Sequence, residues 1–401
     1  MKRSKNSTTS SKLPYISPCN YLPPEVWAHI LSNLPAKTLL SIRCVCKSWC
    51  FIIDDPDFAH MHFQHSQINS WNNNKLLVDL ESRGKFGDEG CLLTVRDAQT
   101  LAKIDQLCEI HSDKYRILGS CNGLLLVKRS GFTYNREPLR LWNPCIRKSL
   151  ILPTCPLRPY LLDGHSCYLF GFAPRSKDYK VVAFELDDSL GKGNEKMYFS
   201  IYTLSNQQWT VRNALNTSNL NINNMYGLFY YLSTAVFFRG AAYWLGNNDK
   251  RTQALTHLAS FDFDQENITI LELPFSWDEN TYRFLFLLGE SLAIFSISKA
   301  SSSIWVLQQD NEKGPWTLWF SGKSSWAGYE VFNLCYIASR KVFYYEGDGG
   351  YFVCGNKAYN IASCQVKPFE RSMSSDLNLE TYSESLVLSK AYGARDLRSF
   401  P

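Results

Sequence analysis

One feature constrains the architecture of this chain more than any other: an apolar anchor that recurs at Val95, Trp142, Tyr202, Phe261, Trp305 and Tyr359, in steps of 47, 60, 59, 44 and 54 residues. Each of the last five anchors is followed 7 to 11 residues later by an apolar partner, namely Leu150, Trp209, Ile268, Trp316 and Val366. Each anchor is also preceded by a short apolar strand pattern, at 76–80, 124–127, 181–184, 241–245, 292–297 and 342–345. Units of this length with several strands each are the signature of propeller blades. The reason is burial: one small antiparallel sheet cannot cover both of its faces, whereas six arranged radially stack face to face and expose only short edges. Aromatic residues make up 14% of the chain, which favours pleated surfaces where flat rings pack well. Closing such a ring needs a strand from one end of the chain in a blade begun at the other. Residues 384–389, with Leu386, Val387 and Leu388, are the candidate to join the blade of Val95. Two stacked β-sandwiches are the alternative architecture.

The region ahead of the repeat has a different period. Leu22-Pro23-Pro24-Glu25 opens it and Ile30-Leu31-Ser32-Asn33-Leu34-Pro35 follows, then Arg43-Cys44-Val45-Cys46-Lys47-Ser48-Trp49 and Asp55-Pro56-Asp57-Phe58. Pro24 suits a first helical turn and Pro35 forbids continuation, so the spacing predicts a helix over 24–34. Val26, Trp27, Ile30, Leu31 and Leu34 give it an apolar stripe wide enough for two neighbours, and Glu25 complements the positive end of the helix dipole. A second helix is expected over about 38–46, with Leu39, Ile42 and Cys46 on one side, and a third around Trp49, Ile52 and Ile53, before Pro56 and Phe58. A unit of roughly 40 residues seldom buries enough surface to be stable alone, so its apolar faces point to another protein.

At these residues the sequence resembles the F-box, the adaptor-docking module of cullin-based ubiquitin ligases. The resemblance implies docking to a Skp-type adaptor, and through it to cullin and RING subunits. By position it assigns adaptor contact to Leu22, Pro23, Ile30, Leu31, Leu34, Pro35, Leu39, Val45, Cys46 and Trp49, with Lys37, Arg43 and Lys47 flanking. The competing reading makes the same residues only the core of a small helical cap.

A second resemblance lies in the repeat. Gly119-Ser120-Cys121-Asn122-Gly123-Leu124-Leu125, Leu141-Trp142-Asn143-Pro144, Phe170-Gly171-Phe172-Ala173-Pro174 and Asp178-Tyr179-Lys180-Val181-Val182 occur in order. Gly240-Ala241-Ala242-Tyr243-Trp244-Leu245 and Leu258-Ala259-Ser260-Phe261-Asp262 continue them. This order is similar to the F-box-associated interaction domain of plant F-box proteins, over about 115–390 and more weakly after Phe320. It implies a substrate-receptor role on a kelch-like propeller. The chain departs from the family pattern at Ala173, where Asp is usual, and in a polar insert over 187–196.

The expected organisation is an α+β multidomain chain: a disordered leader over 1–19, a three-helix F-box over 20–63, a linker over 64–74, a six-bladed propeller-like interaction domain over 75–390, and a tail over 391–401. The expected role is that of a non-catalytic subunit, in which the F-box holds the Skp-type adaptor and the β-domain holds a target protein for ubiquitination. A non-degradative scaffold and a propeller enzyme are the alternatives.

Other chemistries find little footing. A net charge of +5 without a basic, aromatic-interleaved stripe argues against nucleic-acid binding. Thirteen irregularly spaced cysteines and no secretory leader indicate reduced thiols in the cytoplasm or nucleus, where the triplets at Asn6, Asn216 and Asn267 would stay unglycosylated. The apolar stretch 226–246 contains Arg239 and is broken by Gly227 and Gly240, which suits two strands and a turn better than a membrane span. Gly191-Lys192-Gly193 completes no phosphate-loop spacing, and Gly164-His165-Ser166 lacks a nucleophile elbow. The acidic run 262–266 has Asn267 and Leu273 where a calcium loop needs Gly and Glu. Cys44, Cys46 and Cys50, followed by His60, His62 and His65, match no zinc-finger spacing and read as packing residues. No cofactor, metal or membrane partner is expected. Trp277, Trp319 and Trp326 read first as core and second as target contacts, and no substrate-binding residue is assigned.

Overall fold

The computed structural model describes residues 22–68, 76–82, 91–97, 103–110, 114–130, 138–157, 167–187, 196–212, 225–229, 232, 235–247, 255–273, 281–298, 300–308, 316–323, 330–337, 342–348, 354–360, 365–368, 379–388 and 395–396. Four helices come first: α1 (Pro24–Leu31), α2 (Ala36–Ile42), α3 (Lys47–Ile53) and α4 (Pro56–Ile68). The first three match the expected trio with shifted ends. The fourth adds to that trio, beginning at Pro56, which the spacing placed only after the third helix. The Asp55 carboxylate accepts from the backbone N–H of Asp57 at 2.8 Å and of Phe58 at 3.4 Å, so Asp55-Pro56 forms a cap followed by a first-turn proline. The helix α4 therefore runs through the first residues of the segment expected to be a linker.

Beyond the helices, the described strands form six sheets. The first holds β1 (Leu76–Ser82), β2 (Cys91–Asp97) and β3 (Lys103–Ile110); the second β4 (Lys114–Cys121), β5 (Leu124–Ser130), β6 (Arg140–Asn143) and β7 (Lys148–Ile151); the third β8 (Tyr168–Ala173), β9 (Asp178–Asp187), β10 (Lys196–Thr203) and β11 (Gln208–Arg212). A short helix, α5 (Met225–Phe229), precedes the fourth sheet of β12 (Val236–Phe238), β13 (Ala241–Gly246), β14 (His257–Asp262) and β15 (Asn267–Glu272). The fifth is β16 (Tyr282–Leu288), β17 (Ser291–Ile297), β18 (Ser301–Leu307) and β19 (Trp316–Lys323), and the sixth β20 (Glu330–Ile337), β21 (Val342–Asp348), β22 (Cys354–Asn360) and β23 (Gln365–Pro368). The first strands of neighbouring sheets touch one another, β4 with β8, β12 with β16 and β16 with β20, as they do around a propeller axis. Among the described residues no helix is long and apolar enough to cross a membrane. The stretch 226–246 is α5 followed by β12 and β13, which turn at Arg239-Gly240.

All six repeat anchors lie on the third strand of their blade, and every partner lies on the fourth. Tyr202 faces Trp209, Phe261 faces Ile268 and Tyr359 faces Val366 directly across the ladder. Leu150 pairs beside its anchor, with Leu141, and Trp316 pairs with Leu307, beyond a register shift at Ile304/Trp305. One first strand, β8, escaped the repeat because it does not alternate. All of β8 is buried, and a strand covered on both faces carries no period of two.

The ring closes into the blade of Val95, but with a different segment from the one expected. Its closing strand is β24 (Leu379–Tyr382), antiparallel to β1. The proposed closing residues, 384–389, begin just past it, and the described part of them leaves the ladder to lie against blade two. There the Asn143 side-chain amide donates to the carbonyls of Ser385 at 2.9 Å and Val387 at 2.7 Å, and Leu386 and Leu388 are buried. Gly123, at φ 78° in the β4–β5 turn, is needed for this approach, since a Cβ there would meet the Ser383 carbonyl oxygen at 2.3 Å. A last strand, β25 (Arg395–Asp396), pairs with β7 within the segment expected to be a tail.

One hairpin turn recurs around the ring. Arg147, Lys177, Gln207 and Glu266 each lie four residues past a strand end, at φ 54°, 51°, 55° and 54°. The Asp262 carboxylate caps its own turn, accepting from the N–H of Asp264 at 2.8 Å and of Gln265 at 2.7 Å, and Asn143 does the same for Cys145 at 3.1 Å. Ala173 holds the equivalent position in the β8–β9 turn and has nothing to offer. Asp264, from the next blade, supplies the missing acceptor to the N–H groups of Arg175 at 3.0 Å and Ser176 at 3.2 Å. The same blade joint holds buried Lys180, which donates to the Phe263 carbonyl at 2.6 Å and to Glu266 at 2.9 Å.

Candidate functional site

The helical module has two faces with different fates. Its inner face is used by the ring: Leu31, Leu39, Ile53 and Phe58 are buried in one continuous apolar cluster with Val95, Trp142, Phe170, Phe172 and Leu386. Polar contacts pin the same seam. Lys37 on α2 meets Asp105 on β3 at 2.7 Å, and Asp57 on α4 meets Lys177 of the β8–β9 turn at 2.8 Å. Lys177 holds the Asp57 carboxyl below the usual carboxylate range. The His60 ring stacks on Phe172, with centroids 5.2 Å apart.

Inside the module, Trp27 and Trp49 pack at 5.1 Å, and Arg43 grips Asp54 with both nitrogens of its fork, one contact at 2.6 Å. His62, only 3% exposed, bonds through Nε2 to the Leu34 carbonyl at 2.8 Å. Since a carbonyl only accepts, Nε2 carries the proton; Nδ1 is buried without a partner. Burial pushes the His62 pKa down, against the opposing pull of the Leu34 carbonyl.

The outer face is apolar and open. Leu22, Val26 and Ile30 follow one another at single-turn spacing and are exposed, and Val45 and Phe51 reach 59% and 72% exposure. Pro23, Pro24 and Pro35 are exposed beside them. Of the ten residues expected to meet an adaptor, Leu22, Pro23, Ile30, Pro35 and Val45 are exposed, and Leu34, Cys46 and Trp49 are half-buried. Leu31 and Leu39 are fully buried, so in this conformation they support the outer face without belonging to it. Val26 and Phe51 belong to that face and were not in the expected set. Both left a signal: Val26 sits one turn before Ile30, and Phe51-Ile52-Ile53 is a run of three in which a helix buries only two.

The expected flanking cations also separate. Lys37 turns to the ring and Arg43 to Asp54, while Lys47 is exposed. The three neighbouring thiols engage three different groups: Cys44 donates to the Ser41 carbonyl, Cys46 accepts from the Trp49 N–H at the start of α3, and Cys50 donates to Asp54. Trp319 is half-exposed on β19, and Trp277 and Trp326 lie outside the described residues.

An F-box domain model matches residues 20–61, and a model described as the F-box associated beta propeller domain matches residues 88–387, three quarters of the chain. The chain belongs to the F-box-associated family. Its relatives are F-box proteins of Arabidopsis thaliana. A probable F-box protein is 24% identical over 73% of this chain and 65% of its own length, so the match spans just under two thirds of that relative. A putative F-box/kelch-repeat protein is 26% identical over 83% of this chain and 80% of its own, and another F-box/kelch-repeat protein 24% identical over 75% and 79%. The first three helices of this F-box protein fall within the first matched model and the strands from β2 to β24 within the second, while the end of α4, β1 and β25 lie outside both.

Proposed function

We propose that this chain is the substrate-recognition subunit of a Skp-cullin-F-box ubiquitin ligase. The outer face around Leu22, Val26, Ile30, Val45 and Phe51 would dock the Skp-type adaptor, and the ring would hold a target protein. The observation that carries this reading is the division of labour in the helices. Their inner face is already covered by the ring, and an apolar outer face remains, which is what a partner-docking surface requires. The chain itself would make and break no bond; holding a target beside the charged enzyme raises effective concentration, on the order of millimolar for short linkages.

The β8–β9 turn sits against α4 through Lys177, and strands alternate direction within each blade, so the far end of the β9–β10 hairpin points away from the helices. β9 ends at Asp187 and β10 begins at Lys196 on that side, away from the helices, and this distal side of the ring is the one favoured for target contact. The test is capture of a Skp-type adaptor by the full chain. Val26→Glu with Ile30→Glu places two charges on the outer face, away from the ring, and is expected to weaken capture about a hundredfold or more. Undiminished binding by a folded double variant overturns the assignment. A scaffold that delivers nothing for degradation would bind the adaptor equally and leave its partners' half-lives unchanged on depletion. An enzyme would turn over a substrate with no other subunit present.

A further inference from the structure

The segment that closes the ring also touches the helices. Tyr382, the last residue of β24, and Glu384, two residues on, line a cavity of about 60 Å3 together with Lys37 of α2, Asp105 of β3 and Cys145 of the β6–β7 turn. Four elements meet there: a helix of the F-box, the outer strand of blade one, a turn of blade two, and the end of the closing strand. The Lys37 ammonium is bonded to Asp105 at 2.7 Å and also feels the Glu384 carboxylate across the cavity. Glu384 and Asp105 repel one another, and Glu384 is largely withdrawn from water. Lys37 and Asp105 keep part of their surface in water while Glu384 is more withdrawn, and Lys37 is the cation that acts on both carboxylates. Immediately past Glu384, Leu386 and Leu388 enter the apolar cluster that also receives Leu39, Ile53 and Phe58 of the helices.

We propose that seating of the F-box on the ring is conditional on ring closure, with Lys37 as the residue that reads it. Before β24 pairs with β1, Lys37 has one carboxylate partner and the helices lack part of the apolar floor they rest on. After closure both are complete, and the F-box takes a fixed angle to the ring. The coupling is reciprocal by linkage: seating of the helices holds the closing strand in place as firmly as closure holds the helices. This inference concerns the seam alone and stands whether or not the outer face binds a Skp-type adaptor.

The experiment is amide hydrogen exchange on the full chain, comparing wild type with Glu384→Lys and with the double variant Lys37→Glu plus Glu384→Lys. The single change sets two ammonium groups against each other. The double change moves the lone cation from the helix to the closing segment and keeps it between acids. In the single variant, protection of α2, α4 and β24 is expected to fall together, by about tenfold, while β13 and β17, whose side chains pack in other clusters, keep theirs. The double variant is expected to restore all three. Unchanged protection of α2 and α4 in the single variant, or failure of the double variant to recover it, overturns the proposal. Should Glu384→Lys unfold the ring, Lys37→Met leaves the closing segment native and gives the reciprocal reading. Protection of β24 must then fall with that of α2, and an unaffected β24 is the contrary result.

Discussion

At the scale of single residues, His62 shows how burial converts sequence into a condition on the environment. Its ring lies between α4 and the Leu34 carbonyl, one nitrogen bonded and the other enclosed without a partner. Its pKa is therefore lowered in the folded chain, and the unfolded chain, with an ordinary histidine pKa near 6.5, binds the proton more readily. The contribution of His62 to stability is complete above that value and is lost as pH falls from it toward the folded pKa. His60 and His257, also lowered by burial, act in the same sense. The urea midpoint should accordingly drop between pH 7.5 and pH 5.5, and His62→Gln, which retains a donor for Leu34, should flatten that slope. An equal slope in the variant would assign the pH dependence to other groups.

At the scale of elements, the β8–β9 turn is the informative case. Its capping position holds Ala173, and the acceptor arrives from Asp264 on the neighbouring blade. A cap supplied across a joint does two things at once, satisfying the turn and tying blade three to blade four. Removing it by Asp264→Ala should cost about 1–2 kcal/mol, the range for losing a cap of this kind. Adding Ala173→Asp to that variant returns the acceptor to its own turn and should recover most of the loss in a thermal melt. Failure to recover would mean that the joint, not the turn, is what Asp264 stabilises. Close packing restricts the same joint, since a methyl on Gly171 would fall 2.2 Å from the Phe263 ring.

At the scale of the whole molecule, helices and ring share one core. Leu31, Leu39, Ile53 and Phe58 share one apolar cluster with their helical neighbours and with the blades, and Lys37, Asp57 and His60 add polar and aromatic pins. The F-box is therefore expected to unfold with blades one to three in a single transition, followed equally by probes in α3 and in β6. A fragment of residues 1–68 should show little cooperative structure, since so small a unit keeps only part of its core. A separate, earlier melting of the helices in the full chain would contradict this. The same sharing buries Leu31 and Leu39, which the helical period could not show, because it groups residues by face but carries no information on what lies opposite.

Local rules were legible wherever one residue type answers one local demand. Proline marked the start of α1 and the end of its period, and the third-strand anchors with their fourth-strand partners showed the blades. Asp55-Pro56 carried an equally clear helix start, an Asx cap followed by a first-turn proline. Contacts between distant parts of the chain were decided by the tertiary structure alone: that Leu379–Tyr382 rather than 384–389 closes the ring, that Asp264 caps a turn 89 residues upstream, and that Val26 and Phe51 are exposed while Leu31 and Leu39 are buried. Backbone geometry and side-chain period act over a few residues and are written in the order of the amino acids. Which surfaces meet depends on the closed ring as a whole, because only closure determines what each face is pressed against.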